Sequence, residues 1–417
     1  MAQPRKTPVP PAGSPPSRGA LIATALLVLV GIAVNVLLNR PRPSEAVEAP
    51  DRPYHENGLV RTPPMGWNSW NRFGCGVSDG LIRAMADALV ESGMKDAGYE
   101  FIVVDDCWMS EKRVRGHLQP DPANFPYGMR NLADYIHAKG LKFGLYLDRG
   151  RKTCQGRAGS LGHEKRDAAD LAAWGVDYVK VDNCHLPWFD DPQRGFHRMK
   201  RALMNSGWPV VFSLCMWGFE DWMPQQANLW RTTGDINDNW DSMLANAEEN
   251  VKYADYAGPG RWNDPDMLEI GNGGMTDDEY RAHMSLWAVM AAPLMAGNDL
   301  RNMTPSTKEI LMNREVIAVD QDPMGVQGRK VWEGGDGYRI YSRPLAGENV
   351  RAVVLLNGSS QAATLKAEWK DLSLLPGRAR VRDLWAHADR GVFQDSYSTR
   401  VPPHGAVMVK VTRLPVR

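Results

Sequence analysis

Apolar positions recur with two different periods through the middle of the chain. Short apolar runs rich in Val, Ile and Tyr predict buried strands, and stretches in which apolar residues return every three or four positions predict helices. A first strand around Trp67 is followed by predicted strands over residues 99–108, 141–148, 178–185, 208–217, 228–235 and 262–270. The predicted helices cover residues 79–93, 128–140, 164–174, 239–253 and 277–291.

This alternation of strands and helices predicts a (β/α)8 barrel over residues 61–328. A doubly wound open sheet is the structural alternative, but it would call for a glycine fingerprint after its first strand, and the sequence has none there.

From about residue 330 the pattern changes to short strands separated by turn residues, with no helical stretch between them. The predicted strands cover residues 338–345, 351–359, 362–369, 378–386 and 405–412. Residues 329–417 are therefore predicted to form a C-terminal antiparallel β-sandwich.

The chain begins with a basic, Pro-rich tail over residues 1–19, followed by an uncharged apolar segment over residues 20–38. At about 1.5 Å per residue this segment can just span a bilayer core of about 30 Å. It predicts an N-terminal transmembrane anchor, and a cleaved signal segment is the alternative. Residues 39–60 are predicted to form a linker. If the cysteines pair, the body is expected on the extracytoplasmic side of the cell envelope, either anchored or, after cleavage, secreted or periplasmic.

Charge balance and cysteine spacing argue against two kinds of function, nucleic-acid binding and a structural zinc site. The 49 basic and 49 acidic residues balance, which argues against nucleic acid as a partner. None of the five cysteines forms a CxxC pair, so a zinc ribbon is not expected.

Polar residues collect where the predicted barrel strands end, which is where such barrels carry their active sites. An isolated Asp at a strand end often caps the next helix, but caps do not explain Lys180 inside an apolar strand. Lys180 and Asp182 are two residues apart, so both can point into the barrel mouth. Many carboxylates, aromatic rings and few histidines favour glycoside hydrolysis by paired acids. A metal site is the competing interpretation, but no HExxH or His-x-His motif supports it, and no cofactor is expected.

Seven motifs, taken together, are highly specific for one protein family. They are RTPPMGWNSWNRFGC, YEFIVVDDCWM, GLKFGLYLDRGRKTC, DYVKVDNC, WRTTGDI, AGPGRWNDPDMLEIGN and QDPMGVQG. Taken in this order, the chain closely resembles glycoside hydrolase family 27, the family of α-galactosidases (melibiases) and α-N-acetylgalactosaminidases. The resemblance covers the predicted barrel, and the predicted C-terminal sandwich matches the family layout.

The resemblance implies a retaining, exo-acting enzyme that removes a terminal α-linked galactose. Asp182 would be the nucleophile and Asp235 the general acid/base. Lys180 is expected to favour the ionised form of Asp182, and a neighbouring carboxylate is expected to raise the pKa of Asp235. The implied sugar-binding residues are Trp67, Asp105, Asp106, Tyr146, Lys180, Met216, Arg231 and Asp266.

The family pattern also implies the disulfides Cys75–Cys107 and Cys154–Cys184, which leaves Cys215 free. One departure concerns the position after Cys215, where galactosidases of the family commonly carry Glu and this chain carries Met216. That departure motivates an alternative in which the same mechanism acts on an α-N-acetylgalactosaminide, a β-L-arabinopyranoside or an isomaltodextran-type α-glucoside. A membrane-tethered, non-catalytic sugar-binding protein is a further alternative, and the oligomeric state is left open.

Overall fold

The computed structural model describes residues 52–415, and its N-terminal part is built around eight parallel strands. They are β1 (Met65–Asn68), β2 (Phe101–Val104), β3 (Lys142–Asp148), β4 (Tyr178–Asp182), β5 (Val211–Leu214), β6 (Leu229–Arg231), β7 (Trp262–Asp264) and β8 (Leu294–Ala296). They lie in the order β7-β6-β5-β4-β3-β2-β1-β8. A bridge between Leu268 and Ala296 joins the two ends of this sheet. The predicted (β/α)8 barrel is thereby confirmed.

Helices connect the strands around the outside of the barrel. They are α1 (Asp79–Glu91), α2 (Gly128–Ala138), α3 (Glu164–Trp174), α4 (Pro192–Asn205), α5 (Trp240–Asn250), α6 (Asp277–Val289), α7 (Pro305–Leu311) and α8 (Arg314–Asp320). The connection from β5 to β6 carries only the short 3₁₀ turn Met223–Gln225. Helices α4, α7 and α8 and strand β8 were missed by the sequence prediction. For α4 the signal was present, because Asp191 followed by Pro192 is a strong helix start.

Alternation along the strands decides which side chains enter the barrel. Phe101 and Val103 belong to one apolar cluster together with Tyr178, Val211, Leu229 and Trp262. Ile102 and Val104 belong instead to the large cluster beneath the helices. Since side chains alternate with period two, Asp105 continues the inward row of β2, and Lys180 and Asp182 continue that of β4. Apolar side chains thus fill the barrel, and polar ones cap its C-terminal end.

The C-terminal part consists of two antiparallel sheets, as predicted. The strands are β9 (Arg329–Glu333), β10 (Tyr338–Pro344), β11 (Val350–Asn357), β12 (Ala363–Glu368), β13 (Arg378–Asp383), β14 (Ala388–Gln394), β15 (Ser396–Val401) and β16 (Gly405–Arg413). Six form one sheet in the order β14-β13-β16-β11-β10-β9, and β12 pairs with β15 in the second. Strands β9, β14 and β15 were not predicted. Strands β9 and β14 keep few buried apolar positions, so their sequences show little periodicity.

The large sheet is covered on both faces. Val353, Leu355, Val409 and Val411 pack toward the small sheet around Trp369. The alternate positions of β11 and β16, such as Val354 and Met408, join the core cluster of the barrel. The sandwich is therefore packed against the barrel through an apolar interface.

The predicted membrane segment, residues 20–38, lies outside the described residues. Within residues 52–415 no helix combines the length and apolar character needed to cross a bilayer. The end of the predicted 39–60 linker is part of the folded body, which corrects that boundary. Tyr54 is buried and its hydroxyl donates to the carbonyl of Val210 over 2.8 Å.

Candidate active site

A pocket opens at the C-terminal end of the barrel, where the inward rows of the strands turn polar. Its lining residues are Trp70, Asp105, Asp106, Tyr146, Cys154, Gln155, Lys180, Asp182, Cys184, Trp217, Arg231, Asp235, Asp266 and Met267. Eight of the ten predicted catalytic and sugar-binding residues are in this set. Trp67 and Met216 are not, and the prediction missed Trp70, Gln155, Trp217 and Met267.

Lys180 lies between two carboxylates on neighbouring sides of the pocket. Its Nζ is 3.1 Å from Asp105 Oδ2 and 3.9 Å from Asp182 Oδ2. Burial works against the charged amine, but Asp105 and Asp182 together raise the pKa of Lys180 well above its ordinary value. Lys180 is therefore a fixed positive charge on the pocket wall.

Asp182, at the end of β4, is buried beside this charge. Burial raises the pKa of Asp182 above its ordinary value, and Lys180 acts in the opposite direction. Lys180 thus favours the ionised form as expected, but the effect of burial on the pKa of Asp182 is larger. Asp182 Oδ1 is buried, whereas Oδ2 lies toward Lys180 and Cys154 on the pocket wall.

Asp235 follows β6, two strands along the barrel from Asp182, and is much more accessible, with 63% of its side chain exposed. Its Oδ1 accepts hydrogen bonds from Arg231 Nη2 and from Trp217 Nε1, each over 3.1 Å. A carboxylate was expected next to Asp235. The two groups that donate to Asp235 Oδ1 are instead the cation Arg231 and the neutral indole of Trp217. Exposure leaves Asp235 open to exchange protons with a leaving group or water.

Arg231 organises that side of the pocket. Besides Asp235, its Nη2 contacts Asp266 Oδ2 at 2.9 Å and donates to the carbonyl of Gly234 over 2.8 Å. Burial alone would lower the pKa of Arg231, but Asp266 and other nearby acids raise it above its ordinary value. Asp266 has a positive φ of 85°, an unusual backbone conformation that turns its carboxylate toward Arg231.

Asp106 and Tyr146 complete the wall next to Lys180. Asp106 accepts hydrogen bonds from the backbone amides of Cys107 at 2.6 Å and Gln155 at 3.0 Å, while burial raises its pKa. Behind Tyr146 lies Asp148, which is fully buried and accepts from the amide of Cys184 over 2.9 Å. Burial raises the pKa of Asp148 to about 7.

The expected sugar platform Trp67 is misplaced by the sequence prediction. Trp67 is fully buried and its Nε1 donates to the carbonyl of Asn298 over 2.8 Å. The next residue, Asn68, donates to Asp105 Oδ2 over 2.8 Å, so Asn68 faces the barrel interior and Trp67 faces the helices. Trp70 lines the pocket instead, and this alternation is the signal that could have identified it.

The same alternation corrects the placement of Met216. Met216 packs against the hydrophobic core and does not line the pocket. The chain then turns at Trp217, whose positive φ of 56° directs its indole to Asp235. Trp217 thus lines the pocket with an aromatic surface, and Met216, which the resemblance implied as a sugar-binding residue, does not.

Both expected disulfides are present, Cys75–Cys107 and Cys154–Cys184, and Cys215 is free and buried. Cys154 and Cys184 lie close to Asp148, a grouping that resembles a metal site by distance alone. Their sulfurs are joined to each other, so they cannot act as thiolate ligands. Cys154 Sγ lies 3.6 Å from Asp182 Oδ2, which makes this disulfide part of the wall beside Asp182.

Comparisons with known proteins agree with this geometry. The family model described as alpha galactosidase A matches residues 62–322, and that of the alpha galactosidase C-terminal beta sandwich domain matches residues 335–411. An alpha-galactosidase of Cyamopsis tetragonoloba is 47% identical over 403 residues, covering 94% of this chain and 97% of the relative. One from Oryza sativa is 49% identical over 363 residues and covers 86% of each. The crystal structure of alpha-galactosidase I from Mortierella vinacea superposes with a TM-score of 0.82 at 39% identity, covering 85% of this chain and 98% of that one.

Proposed function

The chain belongs to the alpha galactosidase A family, and on that premise we propose that it is an exo-acting α-galactosidase that works with retention of anomeric configuration. The observation that carries the proposal is that Asp182 and Asp235 line one pocket. One carboxylate is buried beside a fixed cation and the other is exposed to solvent. That asymmetry suits a nucleophile and a proton donor, respectively.

In the first step the Asp182 carboxylate attacks the anomeric carbon and forms an ester bond to the sugar. The bond from that carbon to the glycosidic oxygen breaks, and Asp235 transfers its proton to the departing oxygen. Lys180 and Arg231 hold their places through the carboxylates they contact, so the charge around the reacting atoms is in position before the substrate binds.

In the second step a water molecule enters from the side that the leaving group vacated. Asp235, now ionised, takes a proton from this water as its oxygen bonds to the anomeric carbon. Asp182 leaves with the electron pair of the ester bond, and two inversions restore the α configuration. The exposure of Asp235 is what allows the same residue to meet first a leaving group and then water.

Selection for galactose rests on the wall formed by Asp105 and Asp106. These buried carboxylates accept sugar hydroxyls, and an epimer without a matching hydroxyl forfeits one of these hydrogen bonds at a cost of about 1–3 kcal/mol. Trp70 lies against the apolar face of the bound ring. The alternatives with other sugars were motivated by Met216, and Met216 does not line the pocket. We therefore retain galactose as the sugar.

The apolar segment over residues 20–38 and the two disulfides support a location on the extracytoplasmic side of the cell envelope. Disulfides persist in oxidising compartments, and the segment would anchor the enzyme there or release it after cleavage. Blocking free thiols in intact cells before lysis tests this. Alkylation of Cys154 and Cys184 before reduction would contradict it.

A panel of aryl glycosides tests the activity. The wild type should cleave the α-galactoside best, and Asp182→Asn should abolish that cleavage. Preference for an α-glucoside, a β-L-arabinopyranoside or an α-N-acetylgalactosaminide would overturn the sugar assignment. Full activity of Asp182→Asn would overturn the mechanism.

A further inference from the structure

The most exposed aromatic side chains of the described residues lie on loops that follow barrel strands. Trp188 is 95% exposed, Tyr127 71% and Phe189 70%. Trp188 and Phe189 follow β4, and Tyr127 follows β2, so all three belong to the face of the barrel that carries the pocket. Trp188 and Phe189 touch edge to face, with ring centroids 5.5 Å apart. Such a contiguous exposed aromatic surface marks a site that binds a ligand or a partner molecule.

The loop that carries Trp188 and Phe189 is held firmly. Arg149, only 1% exposed, donates from Nε to Asn183 Oδ1 over 2.5 Å and from Nη1 to Asp190 Oδ2 over 2.6 Å. One buried guanidinium therefore fixes both ends of the segment between these two residues. The two rings are presented by a braced loop, which lowers the entropy lost when a ligand binds to them.

The braced loop is continuous with the pocket. Cys184 lines the pocket two residues after Asp182, and Trp188 follows only four residues later. Four residues span at most about 14 Å, so Trp188 stands close to the pocket mouth. An exo-acting enzyme holds one terminal sugar in its pocket, and the remainder of the substrate must lie outside that mouth.

We propose that Trp188 and Phe189 bind the sugars on the leaving-group side of the scissile bond. The proposal rests on the proposed α-galactosidase function and gives it a substrate class, namely neutral oligosaccharides or polysaccharides that carry terminal α-galactosyl units. Sugar rings present faces of C–H groups, which pack on aromatic surfaces. Two exposed rings at right angles can contact successive sugars that are tilted relative to each other.

The test compares two substrates. One is an aryl α-galactoside, which has no sugar on the leaving-group side, and the other is a neutral oligosaccharide of four or more sugars with a terminal α-galactosyl unit. In full-length protein, Trp188→Ala/Phe189→Ala should lower kcat/KM on the oligosaccharide about tenfold. On the aryl substrate it should stay within about twofold of the wild type. The matched control is Trp332→Ala on strand β9, a half-exposed tryptophan remote from the barrel mouth, which should change neither value.

Unchanged kinetics on both substrates would overturn the proposal. An equal loss on both would overturn it as well, since it would report a distorted pocket. A wild type that cleaves neither substrate would contradict the proposed function instead. The subsite would then be tested by quenching of tryptophan fluorescence with an oligosaccharide that lacks galactose. Quenching lost in the double variant supports the proposal, and equal quenching contradicts it.

Discussion

Lys180 lies closer to Asp105 than to Asp182, with its Nζ 3.1 Å from Asp105 Oδ2 and 3.9 Å from Asp182 Oδ2. Its shorter contact is thus with a residue assigned to sugar binding, and its longer one is with the assigned nucleophile. One buried cation links recognition of the sugar to the charge state of the attacking group.

Replacing Lys180 should alter the pH dependence of catalysis. Burial raises the pKa of Asp182 and Lys180 lowers it, so Lys180→Met leaves the upward shift unopposed. Because the nucleophile must be ionised, the acid limb of kcat/KM should move to higher pH, together with a fall in the maximum. Lys142→Met, at the other end of the barrel, is the control, since Lys142 pairs with Glu100 near the surface. An acid limb at the wild-type position would contradict this role of Lys180.

The two tryptophans of the first strand region should respond in opposite ways. Trp70→Ala removes a pocket wall and should raise KM for aryl α-galactosides with little change in stability. Trp67→Ala empties a fully buried site and should cost about 3–5 kcal/mol of unfolding free energy. Denaturant titration and steady-state kinetics on both variants separate the outcomes. A raised KM in a stably folded Trp67→Ala, with normal Trp70→Ala, would restore the original assignment.

Asp148 should make stability depend on pH. Burial raises the pKa of Asp148 to about 7, whereas in the unfolded chain it ionises near pH 4. Between these values the folded state binds more protons, so the wild type loses stability from Asp148 as the pH rises from about 4 to about 7. Asp148→Asn does not titrate, so its stability relative to the wild type should improve by about 1 kcal/mol per pH unit over that window and level off above it.

Denaturant unfolding at pH 5, 6, 7 and 8 measures this difference. Asp134→Asn serves as the control, because Asp134 is more than half exposed on helix α2. Parallel pH profiles for the wild type and Asp148→Asn would show that the buried carboxyl does not titrate in this range.

The two disulfides should differ in their effect on catalysis. Opening either one by Cys154→Ser or Cys75→Ser should cost about 2–4 kcal/mol of stability. Of the two bridges only Cys154–Cys184 lines the pocket, with Cys154 Sγ 3.6 Å from Asp182 Oδ2, so Cys154→Ser should also lower kcat. Kinetics at a temperature where both variants remain folded make the comparison. Equal kcat values for the two would contradict a place for the Cys154–Cys184 bridge in the active site.

Much of the site could be predicted because two regular features determine it, the alternation of side chains along a strand and the repetition of strand–helix units around the barrel. Alternation along β4 places Lys180 and Asp182 on one side, and the barrel architecture brings the other strand ends to the same face. The same alternation, applied to Asn68 and Cys215, would have excluded Trp67 and Met216. Trp217 and Asp266 were harder to place, because positive φ angles re-aim their side chains after the strand has ended.

Several of the strands missed in the fold have weak local patterns. Strand β8 has only three residues, Leu294–Ala296, which close the barrel through a pairing distant in sequence. Strand β14 exposes most of its residues, so burial leaves little periodicity to detect. Such elements are specified by their neighbours in space more than by their own sequence.

The central claim, that Asp182 attacks and Asp235 exchanges the proton, is tested most directly by the anomer of an azide product. Asp182→Gly and Asp235→Gly are each given an aryl α-galactoside with a good leaving group, together with sodium azide. Azide should replace the missing nucleophile in Asp182→Gly by a single inversion and yield β-galactosyl azide. In Asp235→Gly it should attack the glycosyl-enzyme and yield α-galactosyl azide. The opposite pairing of variant and anomer, identified by NMR, would contradict the account.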